Sequence, residues 1–138
     1  MEKLNRSEAR EKIMTILYQS NIFEQNNIDY DINVIIKNTI NIDNEFIKDT
    51  VYGVITYKND IDKIANENLK NWTINRLGNT DIAIIRMAIY ELLYTKTPSV
   101  VAINEAIELA KKYSDDEVKK MINGILDKIY KNKVDYGQ

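Results

Sequence analysis

Apolar side chains recur along this chain at intervals of three and four residues, the spacing that gathers them on one face of an α-helix. Alternation of the strand type is scarce, so the pattern predicts an all-α fold. Ala9, Ile13, Ile16 and Leu17 line a first helix that opens on Asn5 and Glu8, an Asn-x-x-Glu capping box, and should fade between Asn21 and Asn27. Ile32, Ile35 and Ile36 mark a shorter second helix. Phe46, Ile47, Val51 and Val54 mark a third, starting near Asp43 or Asn44, with Gly53 placed to permit close helix approach. A fourth stripe, Ile61, Ile64, Ala65 and Leu69, follows Asn59 as its N-cap, and Trp72 closes it.

The stretch TDIAIIRMAIYELLYT, residues 80–95, is apolar almost all round, which predicts a central helix enclosed by the others. Thr97 and Pro98 interrupt it, because Pro disfavours helical geometry in the residue before it and suits the first turn of the next helix. Ser114 and Glu117 read as a second capping box, ahead of a last helix striped by Val118, Met121, Ile122, Ile125 and Ile129. Gly124 inside that helix predicts a close backbone contact. Asn104, near the start of the preceding helix, is disfavoured in a helix interior. Its amide is expected to hold a neighbouring backbone group, the alternative being plain exposure.

Of the 138 residues 44% are hydrophobic and 29% charged, with one Pro and four Gly, which suits one domain over residues 1–138 around a single core. Cys and His are absent, which removes disulfides, thiolate nucleophiles, the usual zinc ligands and the side chain best suited to proton transfer near neutral pH. The chain therefore reads as no enzyme, with no catalytic residues, no metal and no cofactor. The opening MEKLNRSEAREK has no signal-like apolar segment, and no apolar run approaches the ~20 residues needed to span a bilayer. That places the protein in the cytoplasm, away from membranes. Glu91, Glu105 and Glu108 are carboxylates available in principle for acid–base chemistry, but Glu108 stands four before Lys112 and reads as an ion pair. Asp81, Arg86 and Glu91, set in or beside the most apolar helix, read as bridging charges.

The formal net charge is −2, so distribution matters more than the total. Between Lys111 and Lys133 seven lysines face four carboxylates, which makes the C-terminal quarter locally basic. Lys3, Arg6, Arg10 and Lys12 at the start, and Lys112, Lys119 and Lys120 near the end, interleave with Tyr18 and Tyr113. Cations for phosphate pairing and aromatic rings for base stacking make these nine the candidate RNA-binding residues.

The blocks AREKIMTILYQ, INRLGNTDIAIIRMAIYELLY, VAINEAIELAKKYS and MINGILDKIY, in this order and spacing, resemble the NusB family of transcription antitermination factors from Arg6 to about Tyr130. The resemblance implies about seven helices in two helical subdomains, roughly 1–75 and 76–134, and a role without catalysis. It implies binding of the boxA element of nascent ribosomal RNA leaders together with the ribosomal protein NusE. That pair helps load a complex through which RNA polymerase reads past terminators. The basic start of the family's first helix maps onto Arg6, Ala9 and Arg10, with Leu17, Tyr18 and Gln19 following, and Tyr113 takes the family's aromatic position after the Ala-Lys pair. Asp81, Asp116 and Glu117 are candidates for docking the basic partner protein, since acidic helix starts are exposed and correctly signed.

This chain carries Ser7 and Glu8 where many relatives carry consecutive arginines. Fewer phosphate contacts predict weak RNA binding alone, made substantial by the contacts of NusE. Two other readings are a helical adaptor without RNA contact, supported by the acidic balance, and a stand-alone relative of the RNA-binding domain of ribosomal RNA cytosine methyltransferases. The resemblance leaves monomer and homodimer both open, and a homodimer would cover the RNA face.

Overall fold

The computed structural model describes residues 3–70 and 72–133; the ends of the expected domain, residues 1–2 and 134–138, lie outside them. Among the described residues every regular element is helical: α1 (Arg6–Gln25), α2 (Ile32–Thr39), α3 (Glu45–Thr56), α4 (Lys58–Asn68), a 3₁₀ turn (Ile74–Arg76), α5 (Asn79–Tyr94), α6 (Ser99–Tyr113) and α7 (Asp116–Lys131). The all-α expectation and its seven helices are borne out.

Local chemistry accounts for the boundaries. Asn5 accepts from the Glu8 amide at 2.8 Å while its own amide donates to the Glu8 carboxylate at 3.0 Å, the two halves of a capping box. The far end of α1 turns at Asn27, whose φ of 55° is left-handed, a conformation Asn adopts more readily than most residues. Asp31 and Asn44 cap α2 and α3 through the amides of Asn33 and Ile47.

Three expectations about helix ends are corrected by the structure. Asn59 does not cap α4: that helix starts at Lys58, directly after Tyr57, which also ends α3, so no extended residue is left to serve as a side-chain cap. Trp72 does not close α4 against the core; it stands exposed in the connection to the 3₁₀ turn. The cap of α7 is Asp115, accepting from the Val118 amide at 2.8 Å, whereas the Ser114 hydroxyl donates to Asp81.

α5 is the central helix. Every residue from Ile82 to Ile89 is buried, and α1, α3, α4, α6 and α7 all pack on it. One contiguous cluster runs from Ala9 to Ile129, so both halves of the chain share a core. Gly53 does permit a close approach: a Cβ there would lie 2.1 Å from Cζ of Tyr90. Gly124 does not, because it faces outward with no heavy atom within 4 Å of where its Cβ would be.

Candidate nucleic-acid interface

The start of α1 and the connection between α2 and α3 form the two walls of a groove. Lys3, Leu4, Arg6, Ala9 and Lys12 stand on one side, and Ile40, Ile42, Asp43, Glu45 and Phe46 on the other. The Arg6 guanidinium lies 4.0 Å from the centre of the Phe46 ring, a cation–π contact that holds a flexible side chain over the ring. Asp43 is already paired with Lys48 at 2.8 Å, which leaves Lys3, Arg6 and Lys12 facing Glu45. The groove thus brings three cations together with apolar Leu4, Ile40, Ile42 and Phe46 among the polar Asn5, Thr39, Asn41 and Asn44, side chains of the kinds that meet phosphates and bases.

Arg10, singled out as an RNA contact, is corrected. It is 3% exposed, and its guanidinium donates to both oxygens of Glu91 at 2.8 Å and to Glu105 at 3.2 Å. Burial works against its charge, but the hydrogen bond and charge of Glu91, then Glu105, outweigh it and hold the pKa above the ordinary value. A charge so placed fastens α1 to α5 and α6 and has no free donor face for phosphate. Sequence periodicity hides this, because Arg10 falls one residue after core-facing Ala9 and its partners lie 81 and 95 residues away.

Ser7 and Glu11 form the adjoining stripe of α1, four apart and so one above the other. The Ser7 hydroxyl donates to Glu105 at 2.6 Å. Glu11 accepts from Lys112 at 2.8 Å and from the hydroxyl of Tyr113, and both donors reach the same oxygen. Lys112 thus pairs across the molecule rather than with Glu108, which instead meets Lys111 at 3.6 Å. These contacts hold the Glu11 carboxyl below its usual range, chiefly through Lys112 and then Tyr113, and Glu11 in turn pushes both partners up. Tyr18 continues this stripe of α1, exposed, two turns beyond Glu11.

The remaining candidates lie elsewhere. Lys119 and Lys120 belong to α7, which lines no part of the groove. Asp116 and Glu117 are exposed in the first turn of α7, whereas Asp81 is half-buried and accepts from Ser114. The structure therefore gathers Lys3, Arg6 and Lys12 in one groove, sets Tyr18, Lys112 and Tyr113 along the α1 stripe beside it, and separates the rest. Phe46 and Glu11 were missed: Phe46 has the spacing of a core residue, and nothing local in the sequence announces that Glu11 reaches α6. Arg86 and Glu91 do bridge, Arg86 donating twice to Asp62 at 2.8 Å. Asn104 is exposed at the surface of α6 and makes no side-chain hydrogen bond to any described residue, so the simpler of its two readings holds. Among the described residues no group of three or more acidic side chains is arranged to hold a metal ion.

Residues 7–131 match the NusB family. Relatives named transcription antitermination protein NusB include one from Exiguobacterium sp., 41% identical over 129 residues that make up 93% of this chain and 98% of that one. Another, from Macrococcus caseolyticus, is 41% identical over 131 residues, 94% of this chain and 99% of the relative. Among solved structures, T. maritima NusB superposes with a TM-score of 0.83 at 30% identity, covering 99% of this chain and 100% of that one. A structure of the antitermination factors NusB and NusE in complex with double-stranded RNA superposes at 0.78 with 27% identity, over 91% and 96% of the two chains. A matching family over nine-tenths of the length, full-length relatives and the same helical fold agree with the resemblance carried by the INEAIELAKKY and NGILD blocks: this chain belongs to the NusB family.

Proposed function

We propose that this chain is a transcription antitermination factor that binds the boxA element of ribosomal RNA leaders jointly with NusE, as a cytoplasmic scaffold that makes and breaks no bond. The observation that carries this reading is the groove at the start of α1, where Lys3, Arg6 and Lys12 share the lining with Leu4, Ile40, Ile42 and Phe46 and Arg6 is already seated on Phe46. Cations there neutralise phosphates and release counterions, and aromatic and aliphatic side chains accept unstacked bases. Asp116 and Glu117, exposed at the start of α7, supply a sign opposite to that of a basic ribosomal protein. Among the described residues no helix is long and apolar enough to cross a membrane.

With Arg10 buried and Lys112 paired with Glu11, the groove at the start of α1 is left with Lys3, Arg6 and Lys12 as its cations, and RNA binding depends on contacts added by NusE. Anisotropy titration of a labelled boxA RNA against the full chain, with and without NusE, tests this. The expected result is weak binding alone at physiological salt and strong binding as the pair. Tight binding alone refutes the dependence on NusE. A NusE complex that ignores RNA, the outcome favoured by the net charge of −2, assigns the chain to the adaptor reading instead.

A further inference from the structure

Lys112 and Tyr113 stand side by side at the end of α6, and both give a hydrogen to one oxygen, Oε1 of Glu11. One donor is charged and one neutral, and the ammonium also sits 5.4 Å from the centre of the Tyr113 ring. Two such donors converging on one anionic oxygen at an exposed seam are what a phosphate oxygen would meet there. We propose that Lys112 and Tyr113 form a phosphate subsite of the RNA face in which the Glu11 carboxylate holds the place of a phosphate oxygen, so that RNA enters by displacing Glu11. This deepens the RNA-binding reading above and rests on it.

Three observations make the carboxylate displaceable. The side chains of Lys112 and Glu11 are 60% and 32% exposed, and an ion pair so wet holds weakly and yields to competitors. Second, the seam does not depend on it: one residue along α1, Arg10 fastens the same helix to α5 through Glu91 and to α6 through Glu105. Third, Ser7 on Glu105 lies on the same stripe of α1, so the contact is flanked by polar groups rather than sealed under apolar ones. A phosphate within a polyanion brings further acceptor oxygens and a gain from counterion release that a single carboxylate lacks. Until RNA arrives, the subsite is filled from within the chain, which lowers the affinity of the isolated protein for any anion.

The test is the affinity of the full chain for fluorescein-labelled boxA RNA, followed by anisotropy across a series of salt concentrations, with thermal melts of each variant. Glu11→Gln keeps the shape and removes the charge; Glu11→Ala is read in parallel in case the amide rebuilds the contact. The expected result is binding tightened about two- to fivefold, as for release of an exposed ion pair. The salt dependence should steepen by about 0.7 in the log–log slope, the increment for one more phosphate on a single strand. Adding Lys112→Gln to Glu11→Gln should abolish both gains, and adding Tyr113→Phe should cut the gain in affinity while leaving the steeper slope. Equal or weaker binding by both Glu11 variants, or a gain that survives loss of Lys112, overturns the subsite while wild-type RNA binding leaves the underlying reading intact. Failure of every form to bind RNA, with NusE present as well, removes both.

Discussion

Arg10 and Glu91 meet in a forked pair, Nε and Nη2 each 2.8 Å from a carboxylate oxygen, with side chains 4% and 2% exposed. Removing one partner leaves a charge buried without compensation. Glu91→Ala or Arg10→Ala should therefore lose about 3 to 5 kcal/mol in denaturant unfolding. The double replacement Arg10→Met with Glu91→Leu should recover much of that, because a buried pair exchanged for packed apolar groups is often neutral. Single-mutant losses no larger than those of an exposed pair would refute the assignment.

The same substitution at two glycines should have opposite signs. Gly53→Ala drives a methyl into the Tyr90 ring, which cannot swing freely because it stacks on Tyr94 at 5.7 Å, and Tyr94 stacks on Tyr57 at 4.7 Å. Overpacking of this kind costs about 1 to 3 kcal/mol, and shortening the ring by Tyr90→Leu should relieve it in a double-mutant cycle. Gly124→Ala meets open space inside a helix and should stabilise by up to about 1 kcal/mol.

Tyr30 donates to Glu24 at 2.6 Å, and burial, then Glu24, pushes its hydroxyl up to about 12. Folding favours the protonated form, so its contribution is complete below the ordinary tyrosine value of 10 and is lost as pH rises toward 12. Melting temperature should fall across that window and fall less steeply in Tyr30→Phe. Equal slopes for the two proteins would show that Tyr30 is not the group responsible. Glu24 works at the other end of the scale. Burial raises its pKa, but Lys58 and Tyr30 overcome that and depress it, so its share is present at neutral pH and fades only as acid titrates it below the usual carboxylate range.

Asn104→Ala should leave the unfolding free energy unchanged or raise it by about a few tenths of a kcal/mol, read from thermal melts, since an exposed Asn without side-chain bonds is replaced by the best helix former. A loss above about 1 kcal/mol would show that the amide has a buried partner after all.

Helix existence and the buried faces were legible because burial imposes a period that any single window of sequence displays. The central position of α5 followed from its apolar circumference, and the Asn5–Glu8 cap from spacing alone. Caps that depend on the fold were not: Ser114 has the side chain for an N-cap, but Asp81, 33 residues away, claims its hydroxyl, and the role passes to Asp115. For the same reason the site was only half legible. A sequence shows which residues carry charge, but whether Arg10 or Lys112 is free for RNA is decided by Glu91 and Glu11, partners 81 and 101 residues distant.

α1 runs antiparallel to α5 and is tied to it near both ends, by Arg10 on Glu91 at one and by Asn21 on Asn79 and Arg86 at the other. Sliding by a single turn would part the buried Arg10 guanidinium from Glu91 and break both amide contacts of Asn21, so the two helices are fixed in axial step. The backbone that carries Arg6 and Lys12 is thereby held in place before any partner arrives. Were RNA to bind there as proposed, it would meet a preset helix, and most of the cost of ordering would fall on its own strand.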